Sequence, residues 1–267
     1  MKGRISGVAV AALALSTLAA CGSEEPSSRA IEAPSATITV DGDTSDWADI
    51  ESLGLTLEAI EEGDVESKDA TVKVAHDDQA IYVLFEVTDD YNWSPDDAHL
   101  SGAAAVLWAI DEAAGPHMGA EEPETGTSLG TVDLWHWELD CAAGTQSGGS
   151  VSDPGEGADL GDDGACNLDD EWAATPPERE DDQASGAENS LLGVWSHTSP
   201  TDDSEGTWAF EISRPLVTGD EQDAQFAAGE TALLALAYWD LDNTPEGWGD
   251  DEHVQSGNQG WIEVTLA

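Results

Sequence analysis

Ala80–Val87 reads AIYVLFEV, and its alternation decides the fold class. Ile81, Val83, Phe85 and Val87 fall on one side of an extended chain, with Tyr82, Leu84 and Glu86 on the other. A period of two marks a β-strand, because successive side chains leave opposite faces. Thr71–Ala75 lies just upstream across His76-Asp77-Asp78-Gln79, which predicts a hairpin. Working outward, the same reading predicts strands at Ile38–Val40, Ala104–Ile110, Thr131–Leu139, Leu192–Ser196, Thr207–Ser213, Thr231–Trp239 and Trp261–Leu266. Several are apolar on both faces, as strands covered on both sides are. No long amphipathic helix interrupts the series. The expectation is an all-β domain built as a two-sheet antiparallel β-sandwich with long acidic loops.

Residues 1–20 read as a lipoprotein signal peptide. Lys2 and Arg4 supply a short positive region, Val8–Leu18 an apolar run, and Leu18-Ala19-Ala20-Cys21 a small-residue cleavage site. The run is too short to span a bilayer, which needs roughly 20 residues. The LAAC sequence is similar to a bacterial lipobox, so Cys21 is the expected lipidation site and the alternative is an ordinary leader. The expected localisation is exported and lipid-anchored at the cell envelope, periplasmic or on the outer surface. Residues 21–35, rich in Ser, Pro and Glu, read as a flexible tether. Residues 36–267 read as one sandwich domain with an acidic insertion at about 141–190. Cys141 and Cys166 sit in that insertion and, with Cys21 lipidated, are the remaining thiols. In an oxidising compartment they are expected to pair, a cross-link worth roughly 3 kcal/mol for a loop of this size. The alternative is two free thiols.

Charge excludes some functions. Asp and Glu number 57 against 7 Lys and Arg, a formal net charge of −50. Nucleic acid is excluded as a partner, because neutralising phosphates needs Lys and Arg. The excess reads as adaptation to a salty exterior, where counter-ions screen self-repulsion. Asp41-Gly42-Asp43 and Asp240-Leu241-Asp242-Asn243 are acidic turns, but neither completes an EF-hand pattern. No G-x-S-x-G, H-E-x-x-H or P-loop is present, so the chain does not read as an enzyme.

Chemistry concentrates in Gly115–Asp140, GPHMGAEEPETGTSLGTVDLWHWELD. Met118 is the only methionine besides Met1, and Gly115, Pro116 and Gly119 put it on a loop. A thioether there either fills a packing gap or serves as a soft axial ligand of haem iron. His136 lies between Trp135 and Trp137, where packing and a cofactor contact are both open. No C-x-x-C-H exists for covalent haem attachment.

The HMG loop followed by VDLWHWELD (132–140) resembles the haem-binding domain of the ethylbenzene dehydrogenase gamma-subunit family. The resemblance continues through NLDDEW (167–172), WAFEISRPL (208–216) and the segment from Leu234 onward. It implies a sandwich of immunoglobulin-like or DOMON-like type, one b-type haem held between a Met and a Lys, and electron relay beside a molybdenum oxidoreductase. The stretch where the family's lysine would fall, Gly249–Ser256, contains none; His253 stands there instead, and imidazole is a good iron ligand. The expected iron ligands are therefore Met118 and His253, with His136, Trp135 and Trp137 lining the cofactor. ITVDGDTSDWADI (38–50) also looks like the start of family-nine carbohydrate-binding modules, which supplies a rival sugar-binding function through exposed tryptophan faces. In that opening, Trp47 reads either as part of this function or as a core anchor.

The charge reading predicts that the unfolding midpoint rises between low salt and 1 M sodium chloride, where the Debye length shrinks to ~3 Å. A thermal melt series measures it, and a midpoint indifferent to salt contradicts the reading.

Overall fold

The computed structural model describes residues 29–59, 65–94, 100–118, 121–122, 127–128, 130–139, 167–175, 178–181, 190–201, 203–240 and 253–267. The described residues form fifteen strands: β1 Ala30–Ala33, β2 Leu53–Ala59, β3 Lys68–His76, β4 Ala80–Asp90, β5 Ala103–Ala109, β6 Glu121–Glu122, β7 Thr127–Ser128, β8 Val132–Glu138, β9 Asn167–Thr175, β10 Glu178–Asp181, β11 Leu192–His197, β12 Glu205–Pro215, β13 Thr231–Trp239, β14 His253–Gln255 and β15 Ile262–Leu266. Among the described residues the helical pieces are short 3-10 turns, such as Thr44–Trp47 and Gly257–Gln259, and no helix is long and apolar enough to cross a membrane.

One wall runs β10-β9-β8-β5-β13 and the other β2-β3-β4-β12-β11. β14 joins them, pairing with β13 on one side and β2 on the other. The expected hairpin is present, with Val83 opposite Val74 and Phe85 opposite Val72. All pairings between the walls' neighbours are antiparallel; β1 is the exception and runs parallel to β15.

Alternation sorts the side chains into three apolar layers. Ile81, Val83, Phe85 and Val87 enter the main core with Val106, Trp108, Trp135, Trp137, Trp208 and Phe210. Their alternates Tyr82 and Leu84 face the other way and are covered by Ile38, Trp47 and Ile50. A third layer lies on the outer side of the β8-β5-β13 wall. Across the sandwich, Trp137 packs onto Gly193, where any Cβ would collide with its ring at 2.6 Å.

Arg214 on β12 ties the walls together. Its guanidinium reaches Asp133 on β8 at 2.5 Å, Asp170 on β9 at 3.3 Å and Asp223 at 3.1 Å, and it donates to the Ala224 carbonyl at 2.6 Å. Burial works against the guanidinium's charge, but three carboxylates outweigh it and hold Arg214 ionised. For Asp133 and Asp170 burial dominates and raises both above the usual carboxylate range, since one cation is shared among three acids. Asp133 Oδ1 has no hydrogen-bond partner among the described residues, which adds to the cost of its charge.

Several expectations need correction. Ile38–Val40 is not a strand; it is extended, with an isolated bridge upstream at Ser35. Ala30–Ala33, read as tether, is β1, anchored on β15 and half-covered through Ile31 and Ala33. The span read as an acidic insertion contains β9 and β10, so the wall extends two strands beyond β8. The segment 1–20, Cys21, Cys141 and Cys166 lie outside the described residues.

Buried Asp89, pushed up to about 6 by burial and by neighbouring Asp240, behaves like Asp133. Both acids bind protons more tightly folded than unfolded. The stability they confer is complete below the unfolded value near 3.8 and is lost as pH rises through about 6. The denaturation midpoint at constant ionic strength should therefore be higher at pH 5 than at pH 7.5. An equal or lower midpoint at pH 5 contradicts this account of the buried acids.

Candidate functional site

Strand register assembles the site. Ala105 pairs with His136 on one side and Ala237 on the other, and Ala237 pairs with Gln255. One step along, Trp239 pairs with both Ala103 and His253. Period two then puts His136, Ala103, Ala105, Ala235, Ala237, Trp239, His253 and Gln255 on the outer face of this wall. Four alanines on two adjacent strands leave a shallow apolar floor between larger neighbours, and Leu107 and Leu134 extend it.

Aromatic rings rim this floor. His136 lies 5.1 Å from the Trp239 ring centroid, and Trp239 lies 4.8 Å from His253, so Trp239 stands between two imidazoles. All three residues are buried. His136 Nδ1 also sits 3.5 Å from Glu171 Oε1, a carboxylate supplied by β9.

Met118 is half-buried and packs against the same layer, together with Trp261. Its loop is fastened from the chain's last third. Gln255 Oε1 accepts from the Met118 backbone N–H at 3.2 Å. Trp261 Nε1 donates to the Ala114 carbonyl at 3.1 Å. Gly257 lets the Pro116 carbonyl approach so closely that a Cβ there would overlap it.

Of the residues expected at the site, Met118, His136 and His253 meet on this face. Trp135 and Trp137 do not. They point inward and are wholly buried in the main core, as alternation along β8 requires. Trp47 is a core anchor, donating from Nε1 to Glu211 Oε1 at 2.7 Å. Sequence reading missed Trp239, Gln255, Glu171 and the alanine floor. The paired spacing of Ala103 with Ala105, and Ala235 with Ala237, was the available signal. Neither lysine of the described residues is on this face. Lys68 is held by Asp89 at 2.6 Å and by Asp240, and Lys73 donates to the Trp47 carbonyl at 2.8 Å. One ammonium between two buried acids explains why Lys68 is raised while Asp89 is raised too: a net negative charge stays buried.

The donor set suits haem iron. Among the described residues the donors are a thioether and imidazoles above an apolar floor, uncharged ligands of kinds that suit the iron of a flat hydrophobic cofactor.

The architecture defines the class first: an all-β sandwich. The family model for ethylbenzene dehydrogenase matches residues 44–251, and the chain belongs to that family. No curated protein sequence matches. Among solved structures, a Bacteroides uniformis protein described as carbohydrate-binding is similar at TM-score 0.53 and 9% identity, over 90% of this chain and 100% of its own. A family 9 carbohydrate-binding module from Caldicellulosiruptor kristjanssonii, in complex with cellotriose, gives TM-score 0.46 and 14% identity, over 88% and 92%. At 9% identity the first of these likenesses is one of fold.

Gly257→Ala should push the Met118 loop outward and cost about 1–3 kcal/mol, the usual range for overpacking. Gly54→Ala meets nothing within 4 Å and should stay within about 0.5 kcal/mol of wild type. Denaturant unfolding of both checks this; equal midpoints for the two variants would contradict the close approach.

Proposed function

We propose that this chain binds one b-type haem non-covalently on the outer face of the β8-β5-β13-β14 wall and works as an electron-transfer subunit without catalysis of its own. The observation that carries the reading is the convergence of Met118, His136 and His253 on one apolar face in a member of this family. Met118 and His253 are the side chains that would hold the iron. A haem held there supplies one-electron transfer at iron.

The chain's own residues account for the rest. Alanines at 103, 105, 235 and 237 keep this face apolar and its side chains short, and all four are buried from water. Trp239 packs against His253 in a tilted contact, with ring centroids 4.8 Å apart, and so backs that imidazole. His136 carries Glu171 at its Nδ1 side, an arrangement that orients an imidazole. His136 is therefore assigned a contact beside the cofactor. The redox partner, by the family resemblance, is a molybdenum oxidoreductase. Export and anchoring through Cys21 belong to the same proposal, since they put the domain beside partners at the cell envelope.

The rival reading is sugar binding. It draws on the fold likeness to carbohydrate-binding proteins. Sugar rings usually stack on exposed aromatic faces, and among the described residues no tryptophan is exposed.

Protein from a haem-replete host should show a low-spin haem spectrum. Met118→Ala and His253→Ala should each change the reduced spectrum or empty the site, and Trp135→Phe, in the inner core, should leave it unchanged. Wild type that takes up no haem, or ligand variants that keep the wild-type spectrum, would overturn the proposal. Retention on immobilised oligosaccharide by haem-free wild type would put the sugar reading in its place.

A further inference from the structure

We propose that Gln255 is the positioning residue of this site: one buried amide locks the Met118 loop to the strand that carries His253. The inference rests on the haem reading for its consequence, but its geometry stands without any cofactor.

Gln255 lies two residues from His253 on β14, so both side chains leave the same face. It is 1% exposed. A buried amide has two ends, and both are used. The Met118 N–H can only donate, so the end it meets at 3.2 Å must be the carbonyl oxygen Oε1. That fixes Nε2 toward His117 Nδ1, at 3.1 Å. Because Nε2 donates, His117 Nδ1 accepts, and the neutral ring keeps its hydrogen on Nε2. The same Nε2 donates to Asn258 Oδ1 at 3.3 Å, and Asn258 Nδ2 donates to the Ala59 carbonyl on β2 at 2.6 Å. The amide cannot rotate by half a turn. Rotation would set Nε2 against the Met118 N–H, donor against donor, and Oε1 against the lone pair of His117 Nδ1.

The loop would otherwise be poorly fixed. Gly115 and Pro116 build no ladder, and Met118 itself is only half-buried. Trp261 and Gly257 hold the loop upstream, at Ala114 and Pro116, whereas Gln255 alone of these three bonds the backbone of Met118. An axial thioether must be held to within about half an ångström to set a ligand field. Gln255 provides this by fixing Met118 from the strand of the opposite ligand. The two proposed ligands then move as one unit.

The test uses the full chain and the variants Gln255→Leu and Gln255→Glu. Leu removes both hydrogen-bonding ends at similar volume. Glu keeps an acceptor for Met118 N–H and loses the donor. In haem-free protein, hydrogen exchange of the peptide holding Met118 should speed up in Gln255→Leu on the order of fivefold, the effect of losing one hydrogen bond, while peptides from β5 and β13 keep wild-type protection. Gln255→Glu should fall between the two. In haem-loaded protein, Gln255→Leu should shift the Met-ligated spectrum and the midpoint potential, with Gln255→Glu partly restoring both. Unchanged exchange at Met118 in Gln255→Leu overturns the clamp whether or not haem binds. Faster exchange with an unchanged haem spectrum overturns the positioning role and leaves the haem reading intact. Faster exchange in a protein that takes up no haem upholds the clamp and defeats the haem reading, and with it the assignment of a ligand-positioning role. Loss of protection throughout β5 and β13 in both variants would make Gln255 a general packing residue and also overturn the proposal.

Discussion

The guanidinium of Arg214 lies between the two walls, and the orientation of β8 depends on it. Asp133 must face inward to meet it. Once Asp133 faces inward, period two sends Trp135 and Trp137 into the core and His136 out to the third layer. A slip of one residue would exchange those faces along the whole strand. Asp170 imposes the same constraint on β9, and so sets Glu171 outward beside His136. Removing the arginine would leave three buried acids without their cation, a loss of about 3–5 kcal/mol by analogy with other broken buried pairs. The cluster is better understood as a device for register than as net stabilisation, since burial cancels much of the attraction.

This explains what could be read from the sequence and what could not. AIYVLFEV, with its clean alternation, identified β4 and the hairpin with β3 directly. NLDDEWAAT hid a strand of nine residues. Its inward positions include Asp170, so the apolar alternation breaks where the acid meets Arg214. No local pattern announces a partner 44 residues away. β1 escaped because Ala-Ile-Glu-Ala is too short to show a period, and its support comes from β15 at the far end of the chain. In contrast, LGLTLEA at β2 alternates Leu53, Leu55 and Leu57 with Gly54, Thr56 and Glu58, a short period that the sequence reading passed over.

The site was half legible. Met118, His136 and His253 were visible as unusual donors, but VDLWHWELD does not say which face is functional. Treating its three aromatic positions as one lining ignored the pleat. The structure divides them, with the tryptophans serving the core and the histidine serving the outer face. Small residues carry as much of the argument as the donors do. Four alanines make the floor, and Gly257 lets a carbonyl reach the turn after β14. The missing family lysine is not replaced by another lysine from the described fold, because Lys68 and Lys73 are committed elsewhere. His136 and His253 bring imidazoles to this face.

Near-infrared magnetic circular dichroism of the ferric, haem-loaded protein tests the central claim most directly, because it distinguishes thioether–imidazole from bis-imidazole ligation. The account predicts the thioether–imidazole signature in wild type. A bis-imidazole signature would contradict the assignment of Met118 and point to His136 and His253 as the iron ligands instead.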